Sequence, residues 1–260
     1  MRDIETILKQ FKSGQINLEE AKNALSLFSI EFIEDSAALD VSRQIRKGIP
    51  EVIYAEKKSP ETLKDIVTSQ MQHSSAILLS RVLKKHLHLL QKEFDNQYDI
   101  HVTPSYEPFT VTITTKDFQY QTSSYKIGIL TAGTSDIPVA EEANAIARLM
   151  GVETIQFNDV GVAGVHRLFS PLKEMIKKGV KVIIVVAGME GALPTIVSSL
   201  VNVPVIGVPA STGYGYGGKG TGALMTMLQS CSPGLVVVNI DNGINAGATA
   251  ALIAKQCCPT

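Results

Sequence analysis

Cysteine is scarce in this chain: there are three, and two of them, Cys257 and Cys258, are neighbours near the C-terminal end. That excludes a disulfide framework and makes a reducing, cytoplasmic compartment the expectation. Excess charge is missing too. With 24 Lys+Arg against 25 Asp+Glu the formal charge is −1, which gives no general affinity for nucleic acid or an anionic membrane. No apolar run approaches the roughly 18 residues of a membrane span. The opening segment MRDIETILKQFKSG is amphipathic and carries acids, and it lacks the apolar core of a signal peptide. Glycine is nearly absent from the first half: of 20 glycines only Gly14 and Gly48 precede residue 126. What remains is a chain of 260 residues, 45% hydrophobic and 19% charged, long enough for two globular units.

Glycine usage places the boundary in the polar connector around Gln121–Tyr125, giving an α+β unit over 1–122 and an α/β unit over 123–260. In the first, Ile4, Leu8 and Phe11, then Leu18, Ala21 and Leu25, mark core faces of two amphipathic helices. Residues 40–47 read as helical. Ser59 and Pro60 form a helix start, Ala76–Leu79 a strand, Val82–Phe94 a basic helix, and Phe109–Thr115 alternates like an edge strand. In the second, KIGILTA, ETIQFND, KVIIVVAG, VPVIGVP and LVVVNID are apolar strands, and helical patterns lie between or after them. Such alternation predicts a parallel sheet covered on both faces, with ligands beyond the carboxyl ends of the strands.

The candidate chemistry lies after those strands. Gly133-Thr134-Ser135-Asp136 offers amides and hydroxyls to a phosphate or polar ligand; the same residues also make an ordinary helix N-cap. His166 is an acid–base candidate and Arg167 a phosphate fork, or the two are a solvated pair at a helix start. Glu190, within AGMEGALP, is the only charged residue between Lys181 and Lys219. A carboxylate in so apolar a stretch is expected to be buried and to need a partner, a metal or a raised pKa. Alternatively it is a helix-starting acid. The run 213–222, with six glycines, two tyrosines and Lys219, reads as a lid or as a plain flexible connector. Cys231 precedes a Pro-Gly turn, and it is read either as a small core residue or as an exposed thiol. Arg43, Arg46 and Lys47 form either a second anion site or a solvated helix end, and Asp241 is either an extra carboxylate or a turn former.

TAGTSD, DVGVAGVHR, AGMEGALPTIVSSLVNVPVIGVPAS, the glycine run, QSCSPG and NIDNG together resemble the LarB family, and ALDVSRQIRKGIPEVIY is similar to that family's leading segment. The resemblance covers roughly 35–255. It implies a PurE-like, flavodoxin-like catalytic domain behind a smaller α+β domain, assembled as a homo-octamer or another homo-oligomer. The implied activity is that of a pyridinium-3,5-biscarboxylic acid mononucleotide synthase. Nicotinic acid adenine dinucleotide is carboxylated on its pyridinium ring with CO2 or bicarbonate, and its pyrophosphate is hydrolysed to release AMP. This is the first step toward the nickel-pincer nucleotide cofactor of lactate racemase. Magnesium is the metal implied, with ligands the sequence does not place. One departure is AEKKSPETL, which stands where the family has a glycine-lysine-threonine turn.

A pyridinium ring is electron-poor and cannot attack CO2. A thiolate adding at ring carbon 4 makes it an enamine, whose carbon 5 can attack. The resemblance assigns that thiolate to Cys231. Glu190 or His166 would then take the ring proton or activate the thiol. Asp136, Ser135, Thr134 and Gly133 would contact the mononucleotide, together with Gly188 and Met189. Arg167 and Lys219 would bind phosphate. Two rival readings stand beside this one: an aminoimidazole ribonucleotide carboxylase or mutase, which needs no thiol, and a nucleotide-binding protein without catalysis.

Overall fold

A computed structural model describes residues 4–25, 31–33, 37–39, 47–121 and 124–257. The helix expected over 40–47, with Arg43 and Arg46, lies outside the described residues except for Lys47, which is exposed. The chain divides into two compact units, Met1–His101 with Val111–Phe118, and Val102–Thr110 with Gln119–Thr260.

The first unit begins with helices α1 (Ile4–Lys12) and α2 (Leu18–Leu25) and an antiparallel pair, β1 (Glu31–Ile33) and β2 (Ala37–Leu39). There follow β3 (Val52–Tyr54), α3 (Pro60–His73), β4 (Ala76–Val82), α4 (Lys84–Phe94), β5 (Tyr98–Thr103) and β6 (Phe109–Thr115). Ser59 caps α3 as expected, its hydroxyl accepting the Thr62 N–H at 3.1 Å. Two expectations fail here. The sheet order is β3-β4-β6-β5, so β6 is an inner strand, and its threonines 110, 112 and 114 are buried along with its apolar residues. Alternation of Thr with Val and Ile mimics an edge strand because a β-branched hydroxyl side chain packs almost as valine does. Ile4, Leu8, Phe11 and Leu18 are exposed, while Ile7 and Ala21 are buried. Ala21 is thus buried as expected, whereas in α1 the stripe read as inner lies on the open side.

The second unit is α/β: β7 (Lys126–Thr131), α5 (Ile137–Leu149), β8 (Glu153–Phe157), α6 (Phe169–Lys177), β9 (Ile183–Ala187), α7 (Leu193–Leu200), β10 (Val205–Pro209), α8 (Thr221–Leu228), β11 (Leu235–Val237) and α9 (Gly243–Gln256). Its strands are all parallel, in the order β11-β10-β9-β7-β8. This is the flavodoxin-like order, in which chain direction switches between β7 and β9. Every residue of β9 and β10 is buried, as strands covered on both faces require. α9 lies against α5 at a distance only glycine permits: a Cβ on Gly243 would sit 2.0 Å from the Val139 carbonyl oxygen. That contact holds down the first turn of α5, immediately after Asp136.

Candidate active site at the sheet switch point

A cavity of about 340 Å³ opens where the strand order reverses, beyond the carboxyl ends of β7, β8 and β9. Gly133, Ser135 and Asp136 line it from the loop after β7. Asp159 and Arg167 come from the segment after β8, and Gly188, Met189 and Glu190 from the loop after β9. Thr212 and Tyr214 complete it from the loop after β10.

Asp136 is its buried acid, 4% exposed. One carboxylate oxygen accepts the Gly133 N–H at 2.8 Å, the other accepts the Thr212 hydroxyl at 2.8 Å, and the Gly188 N–H donates as well. Gly188 leaves the room this needs, since a Cβ there would meet Thr212 Oγ1 at 2.4 Å. Burial raises the Asp136 carboxyl above its ordinary range, against the three hydrogen bonds that lower it. A folded carboxyl with a raised pKa adds stability below the ordinary carboxylate pKa of about 3.9, and that contribution is lost as pH rises through the folded value. The stability of the wild type relative to Asp136→Asn is therefore expected to increase as pH falls from about 7 toward about 4. Urea unfolding of both proteins across that range checks it.

Glu190 differs from expectation. It is exposed at the cavity rim, not buried. Met189 (φ 48°) and Gly191 (φ 66°) are both left-handed and carry the intervening residue outward. The lack of other charges in this part of the sequence belongs to β9 and β10, not to Glu190's surroundings.

Asp159, also left-handed (φ 60°), has its N–H held by Thr131 Oγ1 at 3.1 Å and its carboxylate paired with Arg167. That pair aims the guanidinium at the cavity. Lys219 (φ 57°) and Asp241 (φ 54°) are the other left-handed non-glycine residues of this unit, again in loops beyond strand ends. Asp241 accepts the Ser211 N–H at 2.7 Å, which ties the loop after β11 to the loop after β10.

The remaining expected residues do not line the cavity. Thr134 is exposed, and its carbonyl accepts the Tyr106 hydroxyl at 2.8 Å. His166 is exposed in the turn before α6, and Lys219 is exposed in the glycine-rich loop. Cys231 is an exposed free thiol in the loop between α8 and β11. It is therefore not a core residue, and it lies outside its own chain's cavity lining. Sequence reasoning missed Asp159, Thr212 and Tyr106. Asp159 had a signal, its place at the end of an apolar strand. Thr212 had none, because its bond to Asp136 spans 76 residues. Among the described residues no group of three or more His, Cys, Asp or Glu side chains is placed to hold a metal. No helix among the described residues is long and apolar enough to cross a membrane.

Residues 126–258 match the family model for AIR carboxylase, and residues 31–105 match that for the LarB/PurE-like N-terminal domain. The chain belongs to the LarB family. An uncharacterised protein from Methanocaldococcus jannaschii is 45% identical over 256 residues, covering 98% of both chains. The N5-carboxyaminoimidazole ribonucleotide mutase of Thermotoga maritima is 33% identical over 135 residues, which is 49% of this chain and 74% of that one. The mutase of M. jannaschii is 35% identical over 131 residues, 50% of this chain and 76% of its own. The mutases thus share with this LarB protein the half that bears the cavity, and the family is related to carboxylases.

Proposed function

We propose that this LarB-family protein is the carboxylase and hydrolase that converts nicotinic acid adenine dinucleotide, CO2 or bicarbonate and water into pyridinium-3,5-biscarboxylic acid mononucleotide and AMP. The observation that carries this reading is the charge of the cavity. Three carboxyl groups, of Asp136, Asp159 and Glu190, line it together with one guanidinium, that of Arg167, which is paired with Asp159, and with Tyr214. A cationic aromatic ring suits such a lining through charge attraction and its fit to an aromatic face. The same lining leaves Arg167 to meet one phosphate.

In this reading the Cys231 thiolate adds to ring carbon 4. The C4–S bond forms, and the ring's π electrons shift to leave an enamine. Carbon 5 then forms a bond to CO2. Glu190 takes the proton from carbon 5, whose electron pair re-forms the enamine, and the ring nitrogen's pair then breaks the C4–S bond, releasing thiolate and restoring the aromatic ring. Net consumption is one CO2 with release of one proton. Asp136 holds the Gly133 and Gly188 amides and the Thr212 hydroxyl together, which fixes the cavity wall. The thiol reaches a cavity through association of copies. The helix and strand on either side of its loop expose Met225 (64%), Leu228 (67%) and Val236 (53%), apolar area suited to a second copy of the chain.

The test is incubation with the dinucleotide and isotopically labelled bicarbonate, in parallel with aminoimidazole ribonucleotide, with mass detection of the products. Label in a dicarboxylated pyridinium mononucleotide together with AMP is expected. Carboxylation of the imidazole alone would replace this reading with the mutase reading.

A further inference from the structure

We infer that Thr195 and Ser198 are positioning residues that set the Cys231 thiol in place, an inference that rests on the nucleophilic role proposed above. Cys231 sits between two serines, and each is fastened to helix α7. Ser230 Oγ lies 3.0 Å from Thr195 Oγ1 and also accepts the Ser232 N–H at 3.2 Å, closing a tight turn around the cysteine. Ser232 Oγ lies 2.8 Å from Ser198 Oγ, and the Ser198 hydroxyl is within 3.0 Å of the Thr195 carbonyl oxygen. Ser198 is 7% exposed, so its hydroxyl is committed to these contacts, while the thiol beside them stays open to solvent. Backbone on both sides of the nucleophile is therefore tied down.

The helix that holds the loop is also the one that begins at the cavity. Leu193, its first residue, lines the cavity, and Glu190 stands three residues earlier. Thr195 and Ser198 lie two and five residues further along the same short rod, a rise of about 3 and 7.5 Å.

The energetics favour a positioning role. Fixing loop residues costs conformational entropy, and the two hydroxyl contacts to α7 offset part of it. A loop so held adds little net stability, yet it presents the sulfur in one place. Covalent addition is sensitive to that, since a displacement of about 1 Å can cost about 100-fold in rate.

Thr195→Val keeps the side-chain shape and removes the bond to Ser230; Ser198→Ala removes the bond to Ser232. Each is expected to lower kcat for ring carboxylation about 10- to 100-fold with KM for the dinucleotide unchanged. Thr195→Ser is expected to restore the rate. Hydrogen exchange read by mass spectrometry on the full chain gives a readout independent of turnover: the amides of Ser230, Cys231 and Ser232 are expected to exchange about tenfold faster in either variant, with the rest of the second unit unchanged. Native kcat and native exchange in the Thr195→Val, Ser198→Ala double variant would overturn the positioning role while leaving the nucleophile intact. Full activity in Cys231→Ser would instead overturn the nucleophilic reading, and the positioning role with it.

Discussion

Cys231→Ser is expected to yield no carboxylated pyridinium, a loss of more than about 10⁴-fold, comparable to removing a nucleophile elsewhere. The reason is electronic. Without a soft nucleophile at ring carbon 4, carbon 5 of an aromatic cation has no electron pair to give to CO2. A serine hydroxyl is isosteric to within the size of sulfur, but at neutral pH it is hardly ionised and adds poorly to pyridinium. Because the thiol is exposed and its loop is held through Ser230 and Ser232 rather than through the sulfur, the substitution is expected to leave the melting temperature within a degree or two. Intact-mass spectrometry of wild type mixed with the dinucleotide should show an adduct on the peptide carrying Cys231, and the serine variant should show none. Native turnover by the serine variant would end the covalent route.

Glu190→Gln carries the second-largest expected effect, a fall of about 10² to 10⁴ in the carboxylation rate. Glutamine keeps the size and polarity of the side chain but cannot take a proton. If Glu190 removes the proton from carbon 5, the variant is expected to stall after carbon–carbon bond formation or before it, with sulfur still attached. The adduct on Cys231 should therefore build up in Glu190→Gln rather than vanish. Quenched samples weighed over time distinguish this from a binding defect, in which adduct and product would fall together. Exposure at the rim suits the task, because the proton must pass on to water at each cycle.

Much of the second unit was legible because its strands are continuous apolar runs separated by helical patterns. KVIIVVAG and VPVIGVP can bury themselves only inside a covered parallel sheet, and β9 and β10 are buried throughout. The location of the cavity followed from the same reading, since parallel strands send their loops to one end. Legibility ended where three-dimensional partners decide the outcome. Glu190 looks buried in a sequence with no other charges nearby, yet two left-handed residues turn it out. Asp136 looks like a helix cap and is instead the buried centre of contacts from three separate loops. Tyr106 belongs by sequence to the leading half, but it bonds to the carbonyl of Thr134. In the first unit, an amphipathic stripe indicates that a face needs covering, not which neighbour covers it, and Ile4, Leu8 and Phe11 are exposed.

Asp159, Met189, Lys219 and Asp241 share one backbone habit that has a cost beyond the site itself. Each holds a side chain where only glycine is comfortable, at roughly 1–2 kcal/mol apiece. Glycine at any of them would relieve that load while deleting the group the loop displays. At Asp159 and Met189, which line the cavity, heat tolerance and the shape of the site therefore compete, and a thermophilic version of this protein has to find its extra stability elsewhere in the fold.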